Sequence, residues 1–81
     1  MLNMISHEKA VISSKKIITS KKAPMFLEDL GVTYGNHKPM IRIRSKLKPS
    51  KGQYSVSKGV YTFAKRDIGK TIIFTSLYQG S

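Results

Sequence analysis

The side chains able to do acid–base or metal chemistry are few: four carboxylates (Glu8, Glu28, Asp29, Asp67), two imidazoles (His7, His37) and no cysteine. General acid–base catalysis needs titratable groups that converge within hydrogen-bond reach. Glu28 and Asp29 are neighbours, and adjacent side chains point apart on a strand or a helix, so they read as a polar patch beside a turn. A metal site without cysteine would need both histidines plus distant acids. His37 lies in Gly35-Asn36-His37-Lys38-Pro39, which reads as a surface loop. Asp67-Ile68-Gly69-Lys70 ends in Gly-Lys, but it lacks the earlier glycine of a phosphate loop and precedes a strand pattern rather than a helix. No Gly-x-Ser-x-Gly elbow is present. These residues predict no catalytic centre, no metal site and no cofactor, and hence a protein that is not an enzyme.

Charge points elsewhere. Fifteen Lys and Arg face four acids in 81 residues, a formal net charge of +11. Such a surplus attracts polyanions or acidic protein surfaces and also opposes compaction. Twelve of the cations are lysines, which are solvated point charges; arginine is the better group for bidentate readout. Nonspecific attraction to nucleic acid, docking on an acidic protein surface, and simple solubility of a sticky β-protein are the three readings of the charge. Arg42, Arg44 and Lys46 alternate along one stretch at a spacing of roughly 7 Å on one strand face, which could track a phosphate backbone; with Lys48 they form the candidate basic contact face. Tyr54 and Tyr61 are candidate stacking platforms, although their hairpin must also supply the core.

The elements that would position these groups are strands. Residues 1–7 show no clear period and are expected to fray. Ala10 to Ser20 is rich in β-branched residues and predicts a strand with neither face cleanly apolar. Val11, Ile12, Ile17 and Ile18 make it the candidate assembly strand, an edge or an arm. Lys21-Lys22-Ala23-Pro24 breaks it. Phe26 and Leu30, four apart and followed by Gly31, predict a single helical turn at most. Met40 to Leu47 alternates, with Ile41, Ile43 and Leu47 opposite the basic row. Gln53–Ser57 and Val60–Ala64 flank Lys58-Gly59, a hairpin signal. Thr71 to Tyr78 is apolar on both faces and reads as a central or interfacial strand. The fold class is therefore all-β: a small antiparallel meander forming a sandwich or a partly open barrel, with residues 1–25 as an N-terminal arm or edge strand and 26–81 as the β-domain. A domain this small buries only about 60% of its unfolded surface, so support from copies or partners is expected. No apolar run approaches the roughly 20 residues that span a bilayer, and Met1–Glu8 lacks the basic start and apolar stretch of a secretory signal. A soluble, intracellular product is expected.

The stretch Gly52-Gln53-Tyr54-Ser55-Val56-Ser57-Lys58-Gly59-Val60-Tyr61-Thr62-Phe63-Ala64, then Asp67-Ile68-Gly69-Lys70 and a strand ending at Tyr78, resembles a β-hairpin idiom of tail-tube-like structural proteins of tailed-bacteriophage virions. Asp29-Leu30-Gly31-Val32-Thr33-Tyr34 is similar to the segment preceding that hairpin, and the likeness spans about residues 26–81. Lys65 and Arg66 stand where such segments carry small neutral residues, which implies a changed partner surface. The resemblance implies a virion-associated β-module and transfers no catalytic or binding residue. The expectation is a virion structural or accessory protein, in the virion or host cytoplasm. It would form homo-oligomers or dock on an acidic virion protein through strand edges and a basic face. The alternative is a small basic sheet-based nucleic-acid-binding protein, with a viral regulator or an inhibitor of a host protein as its forms.

Overall fold

In the computed structural model, described here for residues 2–80, seven strands carry the chain. They are β1 (Leu2–Val11), β2 (Ile17–Thr19), β3 (Phe26–Tyr34), β4 (Ile41–Arg42), β5 (Gln53–Ser57), β6 (Val60–Phe63) and β7 (Thr71–Gly80), with short 3-10 turns at Ala23–Met25 and Lys65–Asp67. Two sheets form: β1-β7-β3, all antiparallel, and β2-β6-β5-β4, in which β4 runs parallel to β5. Neither closes into a barrel. Val32, Ile72 and Phe74 from the first sheet meet Tyr54, Val56, Tyr61 and Phe63 from the second in one core, completed by Ile12 and Met40.

The β5–β6 hairpin forms where its sequence signal lies. Lys58 and Gly59 both take positive φ (51° and 82°), the type I′ geometry whose twist matches that of the flanking strands. It sets Tyr54 opposite Phe63 and Val56 opposite Tyr61, so the buried face is built of cross-strand aromatic and β-branched pairs. The β7 strand is central, with Ile72, Phe74 and Ser76 turned to the core and Ile73, Thr75 and Leu77 half-buried on the other side.

Three local expectations change. First, Ala10–Ser20 is not one strand. Chain β1 ends at Val11, Ile12 is held in the core by bonds from its N–H to the Lys70 carbonyl (3.0 Å) and from Gly69 N–H to its own carbonyl (2.8 Å), and a turn at Ser13–Lys16 leads to β2 in the other sheet. Residues 2–7, within the segment expected to fray, are instead paired with β7 along their length. Their period was hidden because apolar Ile5 and Val11 face outward while Ser6, Glu8 and Ala10 are the more covered positions. Second, the helical turn expected at Phe26–Gly31 is strand β3. Register shifts at Phe26/Glu28 and Asp29/Gly31 break its two-residue alternation, as bulges do; the 3-10 turn lies just upstream, with Pro24 in its first turn. Third, the expected strand Met40–Leu47 is ordered as strand only at Ile41–Arg42, and the chain turns at Arg44–Leu47. Met40 is buried, while Ile41 and Leu47 are exposed. The strand order also departs from a meander, since β7 inserts between β1 and β3 and only β5–β6 joins sequential antiparallel neighbours.

The hairpin turn packs on the Ala23–Met25 turn: a Cβ on Gly59 would lie 2.8 Å from the Ala23 Cα. Strained φ and backbone overlap together predict that Gly59→Ala destabilises by about 1–3 kcal/mol, whereas Lys58→Asn, which creates the favoured Asn-Gly turn, leaves the urea midpoint equal or higher. Equal midpoints for Gly59→Ala and wild type would contradict this reading of the turn.

Candidate functional site

Each carboxylate is spent on the fold. Asp29, on β3, has a side chain only 3% exposed. Its Oδ2 accepts from the Tyr54 hydroxyl (2.5 Å), and its Oδ1 accepts from the Tyr61 hydroxyl (2.9 Å) and the Gly31 N–H (3.1 Å). Asp67 is fully buried and accepts from the Tyr34 hydroxyl (2.7 Å) and the Gly52 N–H (2.9 Å). Glu8 accepts from the Ser20 hydroxyl (2.5 Å) and the Lys21 N–H (2.9 Å). Glu28 accepts from Arg42 (3.0 Å) and the Asp29 N–H (3.1 Å), and Arg42 with the Asp29 N–H holds its carboxyl below the usual range.

Burial first, then the bond to Asp67, pushes the Tyr34 hydroxyl up to about 12. Burial and the Asp29 carboxylate likewise raise Tyr54 and Tyr61. All three therefore stay protonated at neutral pH and act as donors to carboxylates, as a buried charge requires. His7 bonds the Thr75 hydroxyl (3.1 Å) and His37 is exposed in its loop. Among the described residues no three His, Asp or Glu side chains gather in a way that could hold a metal ion, and no helix is long and apolar enough to cross a membrane.

The sequence-predicted contact residues are dispersed. Arg42 is ion-paired with Glu28 (3.0 Å) and lies 3.8 Å from Asp29, so part of its charge is answered locally. Arg44 and Lys46 are exposed on the turn after β4, and Lys48 follows in an irregular loop; the four do not form a row on one strand. Tyr54 and Tyr61 are 2% and 0% exposed, which removes them as stacking platforms, because the hydroxyls are needed by Asp29 and the rings by the core. Of the candidate assembly residues, Ile12 is buried, Ile18 packs against the core, and Val11 and Ile17 are exposed on different sheets.

Two other surfaces are assembled by the fold. The first is a groove of about 480 Å³ whose lining includes Lys15, Lys16, Lys48, Lys51, Lys65 and Arg66 and, among the described residues, no carboxylate. Its cations come from three separate segments, so no local spacing could announce it. The second is the free edge of β1, ten residues long, with Leu2, Met4, Ile5 and Val11 between 45% and 68% exposed. No sequence period marked this strand, because its apolar residues do not face the core.

The raised tyrosines fix the sign of an alkaline transition. Their folded-state affinity for the proton exceeds that of the unfolded chain, so the stabilisation is intact below the unfolded value near 10 and is lost as pH rises toward the folded values. Stability is expected to be level from neutral pH to about 10 and to fall above it, with tyrosinate absorbance of these three residues appearing together with unfolding. Asp29→Ala is expected to cost about 1–3 kcal/mol for each hydroxyl left unpaired, read as a lower urea midpoint; an unchanged midpoint would contradict the assigned role. The chain matches no protein-family model, no curated protein and no solved structure in the comparisons made.

Proposed function

We propose that this chain is a non-catalytic assembly module, of the kind that builds or decorates a virion, and that copies join through the free edge of β1. The observation that carries this reading is the character of that edge. On the side away from β7 its backbone groups meet no neighbouring strand among the described residues, over a ten-residue length, a template for adding another strand. The devices that blunt such edges are scarce here: Leu2–Val11 contains no proline, its register with β7 is unbroken, and it carries one lysine.

Charge selects the occupant. In a chain of net +11, the strip Leu2–Val11 holds one Glu and one Lys and is formally neutral with His7 uncharged. Two lysine-bearing faces would repel each other; along this strip copies meet with little repulsion and with exposed Leu2, Met4, Ile5 and Val11 to cover. An antiparallel two-fold pairing of β1 with its copy satisfies both edges by the same contacts. The virion setting rests on the resemblance of Gly52–Tyr78 to tail-tube-like modules. The non-catalytic character is supported by the four carboxylates, all occupied by structural hydrogen bonds.

Because the copies repel at long range, association is expected to strengthen with salt up to moderate ionic strength. Light scattering coupled to size exclusion should give a mass above the monomer that rises with protein concentration, and Ile5→Lys, at an exposed position of β1, should return the monomer without loss of β-structure. A wild-type chain that stays monomeric across concentration and salt, or a variant with undiminished mass, would overturn the proposal.

A further inference from the structure

The groove lined by Lys15, Lys16, Lys48, Lys51, Lys65 and Arg66 is held open by the fold. Three cation-bearing segments meet there, and each is tied to the rest of the fold by buried or backbone bonds. The Asp67 carboxylate, at the end of the Lys65–Asp67 turn, accepts from the Gly52 N–H (2.9 Å), which binds the turn carrying Lys65 and Arg66 to the loop carrying Lys51. Lys16 sits at φ 63°, a backbone conformation uncommon for a side chain other than glycine or asparagine, and its carbonyl accepts from the Phe63 N–H (2.8 Å). Gly69 N–H bonds the Ile12 carbonyl (2.8 Å), which anchors the start of the 13–16 turn to the segment after Asp67.

Six cations so placed repel one another, and among the described residues no carboxylate lines the groove to relieve them. Asp67 is the acid nearest in sequence to Lys65 and Arg66, and both of its oxygens are engaged inside the fold. We infer that this groove binds the phosphodiester backbone of single-stranded nucleic acid. Several point charges along one half-open channel suit a chain of phosphates, and a preponderance of lysine over arginine suits backbone attraction over base readout. The channel also has apolar walls at Ile17 and Pro49, Ile17 being half exposed. An unpaired base or a sugar can lie against such walls, whereas a duplex keeps its bases stacked inside. The inference goes beyond the proposed assembly and is independent of pairing through β1.

The test is titration of a labelled oligothymidylate with the full chain, followed by anisotropy at several salt concentrations. If all six cations meet phosphates, the slope of log affinity against log salt is about −4, so a fourfold rise in salt weakens binding by about 300-fold. The variant Lys48→Gln/Lys51→Gln/Lys65→Gln is expected to reduce the magnitude of the slope by about 2. The variant Lys21→Gln/Lys38→Gln/Lys70→Gln removes the same net charge outside the groove and should keep the slope. All six positions are exposed, and equal urea midpoints would establish that both variants fold. Equal losses in the two variants, or no loss in the groove variant, would overturn the assignment. So would binding of duplex as tight as that of single strand, or polyglutamate competing as well as the oligonucleotide at equal charge. Assembly fails separately, as unchanged mass in Ile5→Lys.

Discussion

A carboxylate on one sheet, accepting from two tyrosines on the other, organises this molecule. Asp29 projects from β3 of the three-stranded sheet, while Tyr54 and Tyr61 stand on adjacent strands β5 and β6 of the four-stranded sheet. The bonds are charge-assisted and almost wholly shielded from water, where they are stronger and where losing either partner leaves a costly orphan. Around them the rings of Tyr54, Tyr61, Phe63 and Phe74 pack at centroid distances of 4.9 to 6.4 Å. A chain of 81 residues has little apolar area with which to specify how two sheets face each other. The Asp29 clamp supplies that specification, and Asp67 repeats the device at the end of β3 by joining Tyr34 to the Gly52 backbone.

Committing the acids inward shapes the outside. Among the described residues Arg42 is the one cation within ion-pair distance of a carboxylate, so the remaining positive charge faces solvent with little local relief. Two consequences follow from one allocation. The turns stapled by Asp67 bring lysines and Arg66 together around a groove, and the β1 edge is left as a neutral strip on a strongly positive molecule. The first surface favours anions; along the second, like charges are few.

The β-content, the Lys58-Gly59 hairpin and the central place of β7 were legible because each rests on local chemistry: a turn dipeptide with flanking β-formers, or a two-faced apolar run. What was not legible depends on partners distant in sequence. Strand β1 shows no period because its sheet face carries Ser6, Glu8 and Ala10, and its pairing partner lies at the other end of the chain. The bulges in β3 break its two-residue alternation, so no strand pattern showed there. Glu28-Asp29 read as a surface patch because nothing near Asp29 in sequence shows that Tyr54 and Tyr61 reach it. Tyr54 and Tyr61 themselves allowed both a core and a stacking reading, and the buried carboxylate decides for the core. The basic row Arg42-Arg44-Lys46-Lys48 rested on an alternation that β4 does not sustain beyond Arg42, and the convergence of Lys15, Lys51 and Lys65 is a property of the strand order alone.

The central claim, that the β1 edge is the surface through which copies join, is tested most directly by hydrogen exchange followed residue by residue at low and high protein concentration. If copies join there, amides within Leu2–Val11 that do not bond to β7 exchange quickly in dilute solution and gain protection as concentration rises, while the β2, β3 and β4 edges are unchanged. Protection in Leu2–Val11 that is independent of concentration, or gained equally at every edge, would contradict it.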